Sequence, residues 1–503
     1  MDPTSMPTAA ARTSRSSIDR PAALFDREPE WKDLAGFVSA PEGAPAIGLV
    51  YGRRRQGKSF MLDHLRQAVG GFQYQALEET REAALAGFFV ATAAFAGFPA
   101  PPGARFENWS AAFQTLAEAA HGRLIVIDEF PYLLRDSGEL PSVIQAAYDA
   151  ARTGRHPWFR LILCGSALSV MTQLLSGSKA LRGRAKLDMP VSSFDFRQAR
   201  AYWGIEDRTV AFLVDAVLGG PPGYRDLLDG AAPVELSEFE EWMSAGVLNP
   251  SHALFREADY LLAEDPSMSD RALYRSIIAS IAGGKATKGG VANELGRDEG
   301  QLDYPLGQLE RAHFINRDHD LLRPNRPLLR IADPLLRFYF AVLRRDLARF
   351  SARQTHEAWV DAQARFDSQV VGPHFESLAR AWAARYASER TLGGPAHRVG
   401  FAQVNDRDLR QSFELDVVVE GALTGDKPTL IAIGEAKGGE AVRTMDDLRR
   451  LERLRGLLIA RANVTDTKLL LFGRSGFAAD VSDAADGRSD VELIDLERLY
   501  ERD

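Results

Sequence analysis

Cysteine is almost absent from this sequence: Cys164 is the only one in 503 residues. A single thiol excludes a disulfide framework and a thiolate zinc site, and it fits a reducing cytoplasm. Long apolar runs are missing as well. The longest weakly polar stretch, "AALAGFFVATAAFAGFPA" at 83–100, is built from Ala and Gly rather than Leu and Ile, contains Thr92, and runs from "LEETRE" into prolines. It reads as a buried helix rather than a membrane span, so no membrane partner is expected. Positive charge is not in excess either, the formal net charge being -8. That balance excludes a wholesale electrostatic grip on nucleic acid and leaves only a local basic groove open.

What is present points to several parts, because a chain of this size has room for about two to four domains. Residues 1–20, rich in Ser, Thr and Arg without an apolar core, are expected to be a disordered tail and not a secretory signal. Over 21–235 the runs "AIGLVYG", "GFQYQAL", "RLIVIDEF" and "FRLILCGSA" alternate with helical stretches. They are continuously apolar, which predicts parallel strands covered on both faces, an α/β domain. Residues 236–345 read as helices closed by a small hairpin at "INRDHDLLRP", an order that resembles a winged helix. Residues 346–503 read as a separate α/β domain.

The stretch "YGRRRQGKSF" fits the spacing G-x-x-x-x-G-K-[ST] through Gly52, Gly57, Lys58 and Ser59, after a predicted strand and before a predicted helix. In such a loop, backbone N–H groups from Gly52 through Arg53, Arg54, Arg55, Gln56 and Gly57 to Phe60 curl round phosphates, Lys58 supplies a point charge, and Ser59 ligates Mg2+. Two of the three arginines can equally be solvated. Asp128 ends the run "LIVID" and is expected to act on the metal, with Glu129 beside it orienting the attacking water. Ser166, at the end of the next strand, is either a γ-phosphate sensor or a turn serine. Cys164 in the same strand is expected to be a small core residue.

The blocks "LFDREPEWKDL", "FENWSAAFQTL", "VIDEFPYLL", "LRGRAKLDMPV", "LGGPPGYR" and "RIADPLLRFYF" resemble, in that order, the archaeal-type P-loop ATPases related to the AAA and STAND ATPases. The resemblance implies ATP and Mg2+ as cofactors, a homo-oligomer when ATP is bound, and Pro222 of "GGPPGY" lying against the base or ribose. On sequence alone, that element is also a plain Gly-Pro turn. Arg182 and Arg184 are candidates for an arginine finger acting in trans, or else a surface pair.

Within the winged-helix-like stretch, Asp298, Glu299 and Asp303 stand where phosphates would approach, against only Lys285 and Lys288. Coupling or protein contact is therefore expected there rather than duplex readout. Further on, "FELDVVVE" places Glu414 and Asp416 on one strand face, opposite Phe413, Leu415 and Val417, and "IAIGEAKGG" does the same for Glu435 and Lys437. Adjacent strands with these residues can gather Asp416, Glu435 and Lys437 round a metal. This D…ExK pattern is similar to the PD-(D/E)xK nuclease fold, and Glu376 matches the extra acidic residue of many such enzymes. Leu415 stands where the name has proline. The expectation is an ATPase whose nucleotide state controls a nuclease-like domain acting on DNA or RNA. The alternatives are a switch with a silent C-terminal module and a winged-helix DNA-binding regulator.

Overall fold

Three of the four continuous apolar runs become strands buried from both sides, while the run "GFQYQAL" becomes an edge strand buried on one face. The computed structural model describes residues 18–503 apart from 42, 178, 264, 266, 267, 269, 423–426 and 502, so the tail expected at the N-terminus lies outside the described residues up to position 17. β1 (Ala46–Tyr51), β2 (Phe72–Gln75), β3 (Leu124–Asp128), β4 (Arg160–Gly165) and β5 (Ala185–Pro190) form a parallel sheet in the order β2-β3-β4-β1-β5. Ile47, Leu49, Ile125, Ile127, Leu161 and Leu163 enter one core. Their neighbours Ala46, Val50, Leu124, Val126, Ile162 and Cys164 enter another. β5 is the strand the apolar pattern missed. It is an edge strand whose Lys186, Asp188 and Pro190 are exposed, so it carries no continuous apolar signal.

The Ala-rich stretch forms the helix Arg81–Ala96, capped by the Thr80 side chain, with Leu85, Phe88 and Ala93 buried. Phe88 meets Trp109 and Phe113 of the helix Trp109–Ala120 at ring distances of 5.4 and 5.9 Å. Among the described residues no helix is long and apolar enough to cross a membrane.

Close contacts divide the chain into two units, Met1–Arg53 with Gly57–Val191, and Arg54–Gln56 with Ser192–Asp503. In the second, the helices Arg271–Ala282, Lys288–Leu295 and Asp303–Arg311 precede a hairpin of β6 (Ile315–Asp320) and β7 (Arg323–Ile331). β8 (Arg398–Asp406), β9 (Gln411–Glu420), β10 (Leu430–Lys437), β11 (Lys468–Gly473) and β12 (Val491–Ile494) follow, and all seven strands join one sheet in the order β12-β11-β10-β9-β8-β6-β7. β6 meets β8 at one parallel pair, Asp320 with Phe401. The Leu321 N–H donates to the Phe401 carbonyl at 3.0 Å, and the Asp320 carboxylate accepts from the Gln403 N–H at 3.0 Å. Residues 236–345 and 346–503 thus share a sheet.

Strict alternation fails on β9. The register with β8 slips between the pairs Gly400–Val418 and Ala402–Leu415, so a bulge falls at Asp416 and Val417. Leu415 and Val418 enter one core while Val417 and Val419 enter the other, which corrects the expectation that Leu415 and Val417 share a face. Against β10 lies the helix Gly372–Arg385, reached through a π turn at Asp367–Val371. The approach is close enough that a Cβ on Gly438 would stand 2.8 Å from Phe375 Cβ and 3.0 Å from the Val371 carbonyl oxygen. Gly438→Ala should therefore destabilise the second unit by about 1–3 kcal/mol, read as a lower urea midpoint, whereas Gly439→Ala, with open space beside it, should leave the midpoint within error.

Candidate functional site

β1 runs directly into the loop Gly52–Gly57, and the helix Lys58–Val69 starts where the loop ends, with Gly57 at its N-cap. Unpaired N–H groups and the helix dipole make that end attractive to an anion. Lys58 is buried, and its Nζ donates to the Arg53 carbonyl at 2.9 Å. Ser59 and Phe60 are exposed on the first turn, the Phe60 ring resting 4.3 Å from His64.

Asp128 closes β3. Its Oδ1 accepts from the Glu129 N–H at 2.9 Å, while its Oδ2 is buried without a nitrogen or oxygen partner among the described residues, with the Cys164 thiol as the carboxylate's weak neighbour. Leaving such an oxygen unmatched costs free energy, and a cation beside it would remove the cost. Glu129 sits in the left-handed region at φ 50°, and its carboxylate accepts from the Ser166 N–H at 3.2 Å and hydroxyl at 2.9 Å. Ser166 is thus the hydrogen-bond partner of Glu129. Burial, with the Asp128 carboxylate adding to it, pushes the Cys164 thiol well up, leaving a core residue rather than a nucleophile.

The two candidate finger arginines differ. Arg184 grips Asp149 through both carboxylate oxygens at 3.2 and 2.8 Å, which holds the Asp149 carboxyl below its ordinary range. Arg182 is exposed and donates to the Gly177 carbonyl at 2.6 Å.

The tip of the phosphate loop, Arg54–Gln56, groups with the second unit. Arg55 is left-handed at φ 67°, a conformation that costs a residue with a side chain about 1–2 kcal/mol. Three contacts hold it there. Its guanidinium pairs in a fork with the buried Glu257, Nε to Oε1 at 2.6 Å and Nη2 to Oε2 at 3.0 Å. Its carbonyl accepts from the Gly223 N–H at 3.0 Å. The buried Tyr224 ring lies 5.9 Å from its guanidinium carbon. A Cβ on Gly223 would come within 2.9 Å of Arg55 Cβ, so the close approach requires glycine. Gln56 donates to Ser193 Oγ at 3.2 Å. Pro222 holds the N-cap position of the short helix Gly223–Leu227, one residue before this anchor. Arg55, which the sequence left open to being solvated, is a structural pin.

In the seven-stranded sheet the residues of the D…ExK pattern divide into two groups. Carboxylate oxygens of Glu376, Glu414 and Asp416 lie within 4.8 Å of one another. Asp416 accepts from the Ala436 N–H at 2.7 Å. Burial, then the nearby Glu376, pushes the Asp416 carboxyl well above the usual range, and burial likewise raises Glu376. Arg330 of β7 reaches into this group, pairing with Glu376 at 3.1 Å, with Asp318 at 3.2 Å and with Glu414. Burial opposes its charge, but those three carboxylates prevail. Glu435 is held instead by Arg450, at 3.1 Å, and by the fully buried Arg443, at 3.5 Å. Lys437 pairs with Asp447 at 2.7 Å. Sequence reasoning assigned no role to Arg330, Arg443, Arg450 or Asp447, because ion pairs between distant segments leave no local spacing to find.

The strand order, the phosphate loop after β1 and the Asp-Glu pair after β3 define a P-loop nucleoside-triphosphatase fold. No family model matches the chain. An uncharacterized protein of Methanocaldococcus jannaschii is 24% identical over 246 residues, which is 48% of this chain and 53% of that protein. The chain therefore spans about half the length of this curated relative. Among solved structures, the Walker-type ATPase of Pyrococcus abyssi is 18% identical, with 63% of this chain and 96% of that one covered at a TM-score of 0.44. The ORC2 protein of Aeropyrum pernix is 14% identical over 70% of this chain and 99% of that one, at 0.41.

Removing Arg55 while Glu257 stays buried should cost roughly 2–4 kcal/mol of stability, as breaking one side of a buried ion pair does. Arg55→Ala, Glu257→Ala and the double variant measured by urea denaturation should give a double loss at least about 1 kcal/mol smaller than the sum of the singles; additive losses would show that the pair is not coupled.

Proposed function

We propose that the protein binds ATP with Mg2+ at the loop Gly52–Gly57 and hydrolyses it, and that nucleotide state controls a metal-dependent, PD-(D/E)xK-like nuclease site in the second unit through its winged-helix segment. The observation that carries the first part is the buried Asp128 Oδ2, without a nitrogen or oxygen partner among the described residues, at the end of β3, one strand removed from the β1 that leads into the phosphate loop, next to a Glu129 already oriented by Ser166. In this reading Lys58 exchanges the Arg53 carbonyl for phosphate oxygens. Ser59 and Asp128 hold Mg2+, which neutralises phosphate charge, and Glu129 positions the attacking water. Of the two finger candidates Arg182 is the better placed to act in a neighbouring subunit, because Arg184 would first have to release Asp149.

For the second part, Glu376, Glu414 and Asp416 are the metal-holding group, and Glu435 and Lys437 complete the chemistry once freed from Arg450 and Asp447. Arg330 stands among the first three carboxylates, so a divalent ion must compete with it. Because Arg330 belongs to the hairpin of the winged-helix segment, a shift of that hairpin would open the site. The same internal pairing favours a second reading, a signalling switch whose C-terminal part is catalytically silent. A DNA-reading role for the helix Asp303–Arg311 is disfavoured, since Asp303 already takes Lys288 at 2.6 Å and leaves that helix with little free positive charge.

Calorimetry should show ATP uptake that Lys58→Ala abolishes. Glu129→Gln should keep the affinity while phosphate release falls by about 10²–10⁴-fold; wild-type turnover in Glu129→Gln would remove Glu129 from the role of water-positioning residue. In plasmid nicking with Mg2+ or Mn2+, Arg330→Ala should lower the metal concentration needed for half-maximal cleavage, and Glu435→Ala or Lys437→Ala should abolish it. No nicking by wild type or Arg330→Ala would leave the silent-module reading standing.

A further inference from the structure

β6 and β8 touch at the single pair Asp320–Phe401, and ahead of that pair the two strands part. The opening is a groove of about 620 Å³. Arg317 and His319 of β6 line one wall, Arg398 of β8 the other, and Arg380 and Arg385 from the end of the helix Gly372–Arg385 also line it. Its charged lining counts four arginines against one carboxylate, Asp318, with Glu310 just outside it pairing with Arg317 at 3.0 Å, in a chain whose net charge is -8. That concentration of one sign stands out against an acidic whole and is the footprint a polyanion requires.

Glu376, Glu414 and Asp416 do not line the groove, but three residues of its lining contact that group or its arginine. Arg380 in its lining donates to the Asp416 carbonyl at 2.9 Å. Asp318 in the same lining holds Arg330, the residue that pairs with Glu376 and Glu414, and Phe401 lies 5.4 Å below the Arg330 guanidinium. At the outer end, the side chains of Arg385 and Arg398 are 66% and 55% exposed, while their carboxylate partners, Asp195 at 3.7 Å and Glu420 at 3.2 Å, are only 16% and 11% exposed. Both guanidinium groups carry several donors and can take a second anion from solvent without leaving those carboxylates.

We propose that this groove binds the phosphodiester backbone of a nucleic-acid strand and leads it to the Glu376–Glu414–Asp416 group. The direction toward those carboxylates rests on the nuclease reading above, but binding in the groove does not require that the site cut. Arginines spaced along a cleft suit consecutive phosphates, each accepting charge-assisted hydrogen bonds, and they carry no base readout. The hairpin thus contributes the part of β6 that runs into its turn, Arg317 to Leu321, and the acidic approach to the helix Asp303–Arg311 is not used.

The test is fluorescence anisotropy of labelled 20-nucleotide single-stranded DNA, duplex DNA and single-stranded RNA with the full chain in EDTA, so that no cleavage intervenes. Wild type should bind at least one of the three in a salt-dependent manner, and the tightest arm identifies the strand type. Arg385→Glu with Arg398→Glu should weaken binding at least about tenfold and flatten the plot of log affinity against log salt by about two charges' worth. Arg449→Glu, whose side chain is 69% exposed on the helix Met445–Leu458 outside the groove, should bind as wild type does. If the double reversal melts early, Arg385→Gln with Arg398→Gln takes its place and should still weaken binding measurably. Wild-type affinity in the folded double variant, or no binding of any of the three probes by wild type, would overturn the proposal. Binding that depends on Arg385 and Arg398 without nicking in Mg2+ or Mn2+ would keep the groove and remove the nuclease reading.

Discussion

The fork between Arg55 and Glu257 is the contact on which the rest depends. A phosphate loop needs its backbone N–H groups aimed inward, and a loop with Arg-Arg-Arg-Gln between its glycines has little intrinsic reason to hold that shape. Here the left-handed backbone at Arg55 is maintained by a buried carboxylate 202 residues away in sequence and by the Gly223 N–H. The chain crosses from one unit to the other on either side of three residues, after Arg53 and before Gly57. Lys58 and Ser59 are therefore covalently tied to a segment whose conformation belongs to the second unit.

The sites in the two units solve the problem of buried charge in opposite ways. At the end of β3, Asp128 keeps one oxygen unmatched, so the polypeptide bears a cost that a bound cation would remove. In the seven-stranded sheet the carboxylates are matched from within, Glu376 and Glu414 by Arg330, Glu435 by Arg450 and Arg443. Burial is the main reason the Asp416 and Glu376 carboxyls are raised, with the neighbouring acids adding to it, and without those arginines the crowded acids would repel one another more strongly.

Much of the first unit was legible because its signals are local. Runs such as "RLIVIDEF" report burial on both faces through composition, and Gly57, Lys58 and Ser59 report the phosphate loop through spacing. β5 was not, since an edge strand alternates with polar residues, and the short β12 offers only four. In the second unit the helices, the hairpin and β8 to β11 could be read from period and turn residues. The slip on β9 could not, because a bulge is set by the partner strand, and it is what separates Leu415 from Val417. Nor could Glu257, which looks in sequence like an ordinary helical acid, or Arg330, one of several arginines after a turn. Both acquire meaning only through contacts with residues far along the chain.

Because Glu376 and Glu414 are already paired with Arg330, admitting a cation between them would need energy from elsewhere, and the position of Arg330 indicates the route. Arg330 lies in a hairpin whose strand β6 meets β8 at one residue pair, whereas β8 and β9 pair along most of their length on both sides of the bulge. A displacement of the hairpin would withdraw one guanidinium from Glu376 and Glu414 together. The groove opens at the same residue pair. A phosphodiester lying against Arg317 and Arg398 would bridge the parted strands, so the occupant and the hairpin position would bias each other. With Glu376 and Glu414 paired to Arg330 and Glu435 to Arg450, any metal chemistry at this group would be conditional on displacing those arginines.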